Sequence, residues 1–215
     1  MTDFLRRRLL TSLIPGFLAA SAQGRDRNAA DPPSPEPRAS DRIPDVTLVN
    51  QRGQSVKLYS NLIANRPVLI NMMYVNCEGT CPGTSALLSS LWPDLDRMIG
   101  PELRILSITL DPERDGAKEL AAYAEPFRPR AADSFGSDWQ FLTGSVQDIE
   151  SIRKALGFSD PDPVIDGDRS QHSAIITFGN DRLNRWATMP VEMSRKQLQK
   201  SIVRILRGTA VGGVQ

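Results

Sequence analysis

Apolar positions recur with two different spacings along this chain, and the alternation between them outlines a fold. Val46 to Val49 and Val56 to Leu58 read as short strands around the turn Gln51-Arg52-Gly53-Gln54. Pro67 to Tyr74 is apolar except for Asn71, as expected of a central parallel strand covered on both faces. From Pro82 to Met98 the spacing changes, and Leu87, Leu88, Leu91 and Leu95 form a helical stripe. Pro82 suits the first turn of that helix, where a backbone N–H has no partner to lose. Leu103 to Leu110 predicts a second strand, and Asp111-Pro112-Glu113-Arg114-Asp115 is expected to cap a helix running to about Phe127. The alternative is that a carboxylate at the same sheet edge as Cys77 and Cys81 tunes their charge or touches a partner.

Further on, the pattern predicts a strand over Trp139 to Leu142 and a helix over Val146 to Leu156. An acidic, proline-bearing loop follows from Ser159 to Gln171, and its aspartates lack calcium-loop spacing. Strands Ala174 to Phe178 and Leu183 to Thr188 flank a turn at Asn180-Asp181, and Ser194 caps a last helix, Arg195 to Leu206. This order predicts a three-layer α/β/α sandwich, thioredoxin-like, with an N-terminal β-hairpin extension.

Ahead of the globular pattern the composition changes twice. Arg6, Arg7 and Arg8, the apolar stretch Leu9 to Ala19 and the small residues Ala20-Ser21-Ala22 read as a signal peptide over residues 1–22. The Arg-Arg-x-Leu-Leu order is similar to a twin-arginine signal. The apolar run is shorter than the ~20 residues that span a bilayer, so membrane contact is expected only where the leader stays uncleaved. Residues 23–42 hold Pro32, Pro33, Pro35 and Pro37 among charges and predict a disordered linker. The folded domain is expected over 43–208, with a flexible tail at 209–215. The 215-residue chain carries a net charge of +1, which offers no basic footprint for nucleic acid.

Chemistry concentrates at the only two cysteines, Cys77 and Cys81, and the only histidine, His172. The thiols follow the apolar strand at the entrance of the next helix, where the helix dipole favours a thiolate. A domain of this size has no need of a disulfide for stability. Three residues separate the cysteines, one more than in thioredoxin-type redox motifs. That leaves room for an ion between the sulfurs. His172 precedes the strand at 174–178, the place where thioredoxin-like oxidoreductases carry a cis-proline. An imidazole there would meet the two sulfurs and complete a soft trigonal set suited to copper or zinc. Met72 and Met73 lie within the buried strand and are expected to pack in the core.

Taken together, Cys77-Glu78-Gly79-Thr80-Cys81-Pro82, Asp111-Pro112-Glu113-Arg114-Asp115 and Gln171-His172-Ser173 resemble the Sco/SenC family of copper-binding thioredoxin-fold proteins. The resemblance covers about residues 43–208. It implies copper, as Cu(I) or Cu(II), held by Cys77, Cys81 and His172. It also implies assembly of a cuproprotein client, such as the dinuclear copper centre of a cytochrome oxidase subunit, by metal delivery or by thiol reduction. An upstream copper donor or a thiol reductase would then be a partner, and the location would be periplasmic or otherwise exported. Val75-Asn76 and Glu78-Gly79-Thr80 stand where the family often has Thr-His and Pro-Asp-Val, a departure around the metal that leaves the client open between the dinuclear copper centre and another cuproprotein. The rival reading is a thiol–disulfide oxidoreductase in which Cys77 attacks and Cys81 resolves. A peroxidase of the same architecture is disfavoured, because the Pro-x-x-x-Thr-x-x-Cys pattern does not precede Cys77.

Overall fold

Residues 37–167 and 175–207 are described by the computed structural model. The leader, the linker up to residue 36, His172 and the tail at 209–215 lie outside them. Seven strands form one sheet in the order β2-β1-β5-β4-β3-β6-β7. They are β1 (Thr47–Asn50), β2 (Ser55–Lys57), β3 (Pro67–Met73), β4 (Arg104–Thr109), β5 (Asp138–Thr143), β6 (Ile175–Asn180) and β7 (Arg185–Pro190). β3, β4 and β5 are parallel to one another. β6 runs antiparallel to β3, and the β1–β2 hairpin joins antiparallel to β5. The helices are α1 (Thr80–Ile99), α2 (Ala117–Ala124), α3 (Val146–Ala155), α4 (Pro163–Gly167) and α5 (Arg195–Arg207).

Alternation along β3 divides the core into the two halves expected of a sandwich. Leu69 and Met73 pack with Leu88, Leu91 and Leu95 of α1 and with Leu198, Ile202 and Leu206 of α5. Val68, Ile70 and Met72 face the opposite way, against Ile149 and Ile152 of α3 and the π-helical turn Leu58–Ile63. Every residue of β3 is buried, Asn71 included. Its side chain is satisfied within the sheet: Ser107 Oγ donates to Asn71 Oδ1 at 2.7 Å, and Trp139 Nε1 donates to Ser107 Oγ at 2.9 Å. Buried polar atoms persist in a core when they are paired in this way. The methionines of β3 are core residues, as expected.

Four local expectations differ from the structure. Residues 38–42 do not extend the linker. Ala39–Arg42 forms a 3-10 turn held to the domain by Ser40 Oγ, which donates to Asp181 Oδ1 at 2.5 Å, and by an Arg38–Asp181 ion pair. The helix after β4 begins at Ala117 with Gly116 as its N-cap, and neither Asp111 nor Asp115 caps it. The acidic segment after α3 contains the short helix α4, and Asp166 binds the buried Arg153 with two hydrogen bonds of 2.5 Å. The last strand, β7, starts at Arg185 because Asp181–Leu183 forms a 3-10 turn.

Candidate metal centre

The parallel strands β3 and β4 end together, where the Leu110 N–H donates to the Met73 carbonyl at 2.7 Å. The segment from Tyr74 to Gly79 leaves this edge and feeds α1. It turns tightly, with the Cys77 N–H donating to the Tyr74 carbonyl at 3.3 Å. Gly79 is the N-cap of α1 and supplies no side-chain cap. The unpaired N–H groups that any helix start carries therefore remain for another acceptor, and the Cys77 sulfur takes that role.

Both cysteines are thiols rather than a disulfide, and both belong to the core half formed by α1, α2 and α5. Cys77 is 6% exposed and Cys81 is fully buried, so Cys77 is the one that solvent reaches. Burial pushes the Cys77 thiol up, but four hydrogen bonds more than offset it. They come from the Cys81 side chain, the Cys81 N–H, the Gly79 N–H and the Tyr74 hydroxyl, and together they hold the Cys77 thiol below its ordinary value. Hydrogen bonds to an anionic sulfur favour the thiolate, as does the helix N-terminus. The two thiols are thus hydrogen-bonded partners, with an excess of donors aimed at one of them.

Tyr123 of α2 packs against the same core half as the pair. Burial pushes its phenol up to about 12, and the negative charge available on Cys81, Cys77 and Asp115 adds to the shift. Ser85 Oγ lies 3.0 Å from the Tyr123 hydroxyl. The ring stays neutral beside the thiols and packs against Phe127 and Phe141, with centroids 5.2 Å and 5.9 Å away. Sequence reasoning did not single out Tyr74, Ser85 or Tyr123. Tyr74, three residues before Cys77, and Ser85, one helical turn after Cys81, were near enough in the chain to have been found, and Tyr123 was not.

The Asp111-to-Asp115 motif meets the same edge, but by a route other than helix capping. Asp115 is 1% exposed, and its Oδ2 accepts from the Val75 N–H at 3.0 Å and from Thr109 Oγ1 at 2.5 Å. Thr109 Oγ1 in turn accepts from the Asp111 N–H at 2.9 Å.

His172 lies outside the described residues, so the structure brings together two of the three expected ligands. Among the described residues no third His, Cys, Asp or Glu joins the thiols as a metal-holding group. The sheet does locate the chain next to His172 in sequence. Asn71 of β3 pairs with Ile176 of β6. Ile175, three residues after His172, therefore lies level with Met72, close to the edge from which the cysteine segment departs. The donor set fits a soft ion: two adjacent sulfurs, one favoured as thiolate, in an apolar setting.

The SCO1/SenC family model matches residues 35–207. The chain belongs to this family. Among curated relatives, the SCO1 protein homolog of Bacillus subtilis is 34% identical over 111 residues, which is 51% of this chain and 53% of that protein. The match thus spans about half the length of that relative. Among solved structures, the crystal structure of yeast Sco1 with copper bound aligns with a TM-score of 0.58 at 20% identity, covering 78% of this chain and 96% of that one. BsSco, whose structure is described as revealing a disulfide switch in a member of the Sco family of cytochrome c oxidase assembly proteins, aligns with a TM-score of 0.59 at 23% identity, covering 77% of this chain and 93% of that one. These likenesses establish the thioredoxin-like fold of the SCO1/SenC proteins for this chain. Among the described residues no helix is long and apolar enough to cross a membrane.

Proposed function

We propose that this protein is an exported copper chaperone that carries copper on Cys77, Cys81 and His172 to a cuproprotein client. The observation that carries the reading is the thiol pair at the start of α1, with Cys77 favoured as thiolate by four hydrogen bonds. Membership of the SCO1/SenC family and a copper-bound relative of the same fold support copper as the ion. The level position of Ile175 supports His172 as the third ligand. Two thiolates hold Cu(I), and adding a neutral imidazole makes a site that also accepts Cu(II). Three protein ligands leave one side open, from which a client's thiol or imidazole takes the ion by ligand exchange. Protonation of sulfur and imidazole competes with the metal, so affinity falls in acid. The dinuclear copper centre of cytochrome oxidase is the proposed client, by likeness to the assembly role stated for BsSco. The leader at residues 1–22 supports an exported location.

The test is anaerobic titration of the reduced protein with Cu(I), followed by Cu(II) titration of the wild type and His172→Ala. One tight equivalent of Cu(I), and a marked loss of Cu(II) affinity in the variant, are expected. Equal Cu(II) affinity in both would remove His172 from the ligand set.

One observation favours a second reading of the same pair. The more exposed thiol is also the one held low, as a nucleophile requires. The Cys77 thiolate would attack a client disulfide, forming a mixed disulfide and releasing one client thiolate. Cys81 would then displace the second, leaving a Cys77–Cys81 disulfide after two electrons have passed to the client. Turnover with a disulfide substrate, together with indifference to copper, would favour this reading over the chaperone.

A further inference from the structure

Asp115 is a buried carboxylate beside a helix it does not cap. It sits directly before Gly116, the N-cap of α2, yet its Oδ2 is directed at the Val75 N–H and the Thr109 hydroxyl. A carboxylate buried to 1% exposure is costly to desolvate, and its hydrogen bonds must compensate. Val75 lies two residues before Cys77, beyond the last β3–β4 pair, Met73 with Thr109. In the segment from Tyr74 to Gly79, the Cys77-to-Tyr74 turn is a weak internal bond of 3.3 Å. The Asp115–Val75 bond is the shorter, charge-assisted link from this segment to the end of β4.

We propose that Asp115 is a positioning residue for the thiol pair: by accepting the Val75 N–H it pins the cysteine segment to the end of β4 and holds the Cys77 sulfur against Cys81 and the start of α1. The inference rests on the reading that Cys77 and Cys81 act together, and it concerns the protein's own residues before any metal arrives. A pinned segment raises the effective concentration of one sulfur at the other. That quantity sets how readily the pair closes to a disulfide, and how much ordering remains to be done when an ion binds both sulfurs. Thr109 shares the task, because its hydroxyl donates to Asp115 while accepting from the Asp111 N–H.

The test uses the reduced full chain without metal, as wild type, Asp115→Asn, Asp115→Ala and Thr109→Val. Three quantities are read: hydrogen exchange at the Val75 amide, alkylation of Cys77, and the midpoint of the dithiol–disulfide couple against a glutathione buffer. In that couple the two thiols lose two electrons and two protons, and glutathione disulfide is reduced to two glutathiones. In Asp115→Ala the Val75 amide is expected to exchange about tenfold faster, with Cys77 alkylated several-fold faster. A roughly tenfold fall in effective concentration raises the midpoint by about 30 mV. Asp115→Asn keeps an acceptor oxygen and is expected to stay within about twofold of wild type in all three readouts. Unchanged Val75 exchange and midpoint in Asp115→Ala would overturn the proposal, as would an exchange increase spread evenly over β3, β4 and β5. If the alanine variant fails to fold, Thr109→Val decides: a smaller shift in the same direction supports the proposal and no shift overturns it. None of these outcomes depends on copper, so a negative result here leaves the metal reading to its own titration.

Discussion

Replacing Tyr74 by phenylalanine removes one hydroxyl that donates to the Cys77 sulfur and leaves the ring in place. The burial that pushes the Cys77 thiol up is therefore retained, and only one of the four opposing hydrogen bonds is lost. A single such bond is worth about 1 kcal/mol net. Loss of about 1 kcal/mol from the thiolate form alone cuts the thiolate population of Cys77 about fivefold at any pH where the thiol predominates. The alkylation rate of reduced protein by iodoacetamide follows that population. The pH–rate curve of Tyr74→Phe should therefore lie to the alkaline side of the wild-type curve, with the rate near neutral pH down about fivefold. Tyr123→Phe is the control, because the Tyr123 hydroxyl is 3.0 Å from Ser85 Oγ and does not supply one of the four bonds to Cys77. Its curve should overlay the wild type. Matching curves for Tyr74→Phe and wild type would refute the argument that side-chain hydrogen bonding, beyond the helix start itself, holds the thiol low.

Two further perturbations test the supports of the fold. Asp181 accepts from Ser40, from the Asn65 N–H at 2.8 Å and from Tyr59, and Asp181→Ala should cost about 3 kcal/mol in urea denaturation near neutral pH. Burial pushes this carboxyl up, but the Ser40 hydroxyl, the Asn65 N–H and Arg38 together hold it below its ordinary 3.8. Its stabilisation is thus fully present above about pH 4 and is lost as pH falls through the lower folded value, so the gap between wild type and variant should narrow in strong acid and not in mild acid. Arg153, 8% exposed, binds Asp166, Glu150 and the Phe158 carbonyl, and Arg153→Met should lower stability by about 3 kcal/mol by stranding Asp166. A loss under 1 kcal/mol in the same assay would show that the α3–α4 clamp is solvated instead.

Features that depend on near neighbours were readable from the chain. The unbroken apolar run of β3, the leucine stripe of α1 and the Cys-x-x-x-Cys spacing are local patterns, and period, propensity and helix-start chemistry act over a few residues. They were enough for the layer order of the fold, the placing of Cys77 and Cys81 at a strand-to-helix junction, and the family. What remained hidden were the partners chosen by buried polar groups. Asp115 looked like a helix cap because capping is the local use of an aspartate before a helix, yet the closed sheet offers it the Val75 N–H, 40 residues away in sequence. Ser40 and Arg38 looked like linker until Asp181, 141 and 143 residues distant, took them up. Asp166 looked like a solvated loop residue until the aliphatic packing of α3 buried Arg153 beside it. Desolvation is what makes such pairings strong, and desolvation is a property of the assembled layers. A one-dimensional pattern specifies which side chains avoid water; only the packed sheet and helices decide which donor each buried acceptor meets.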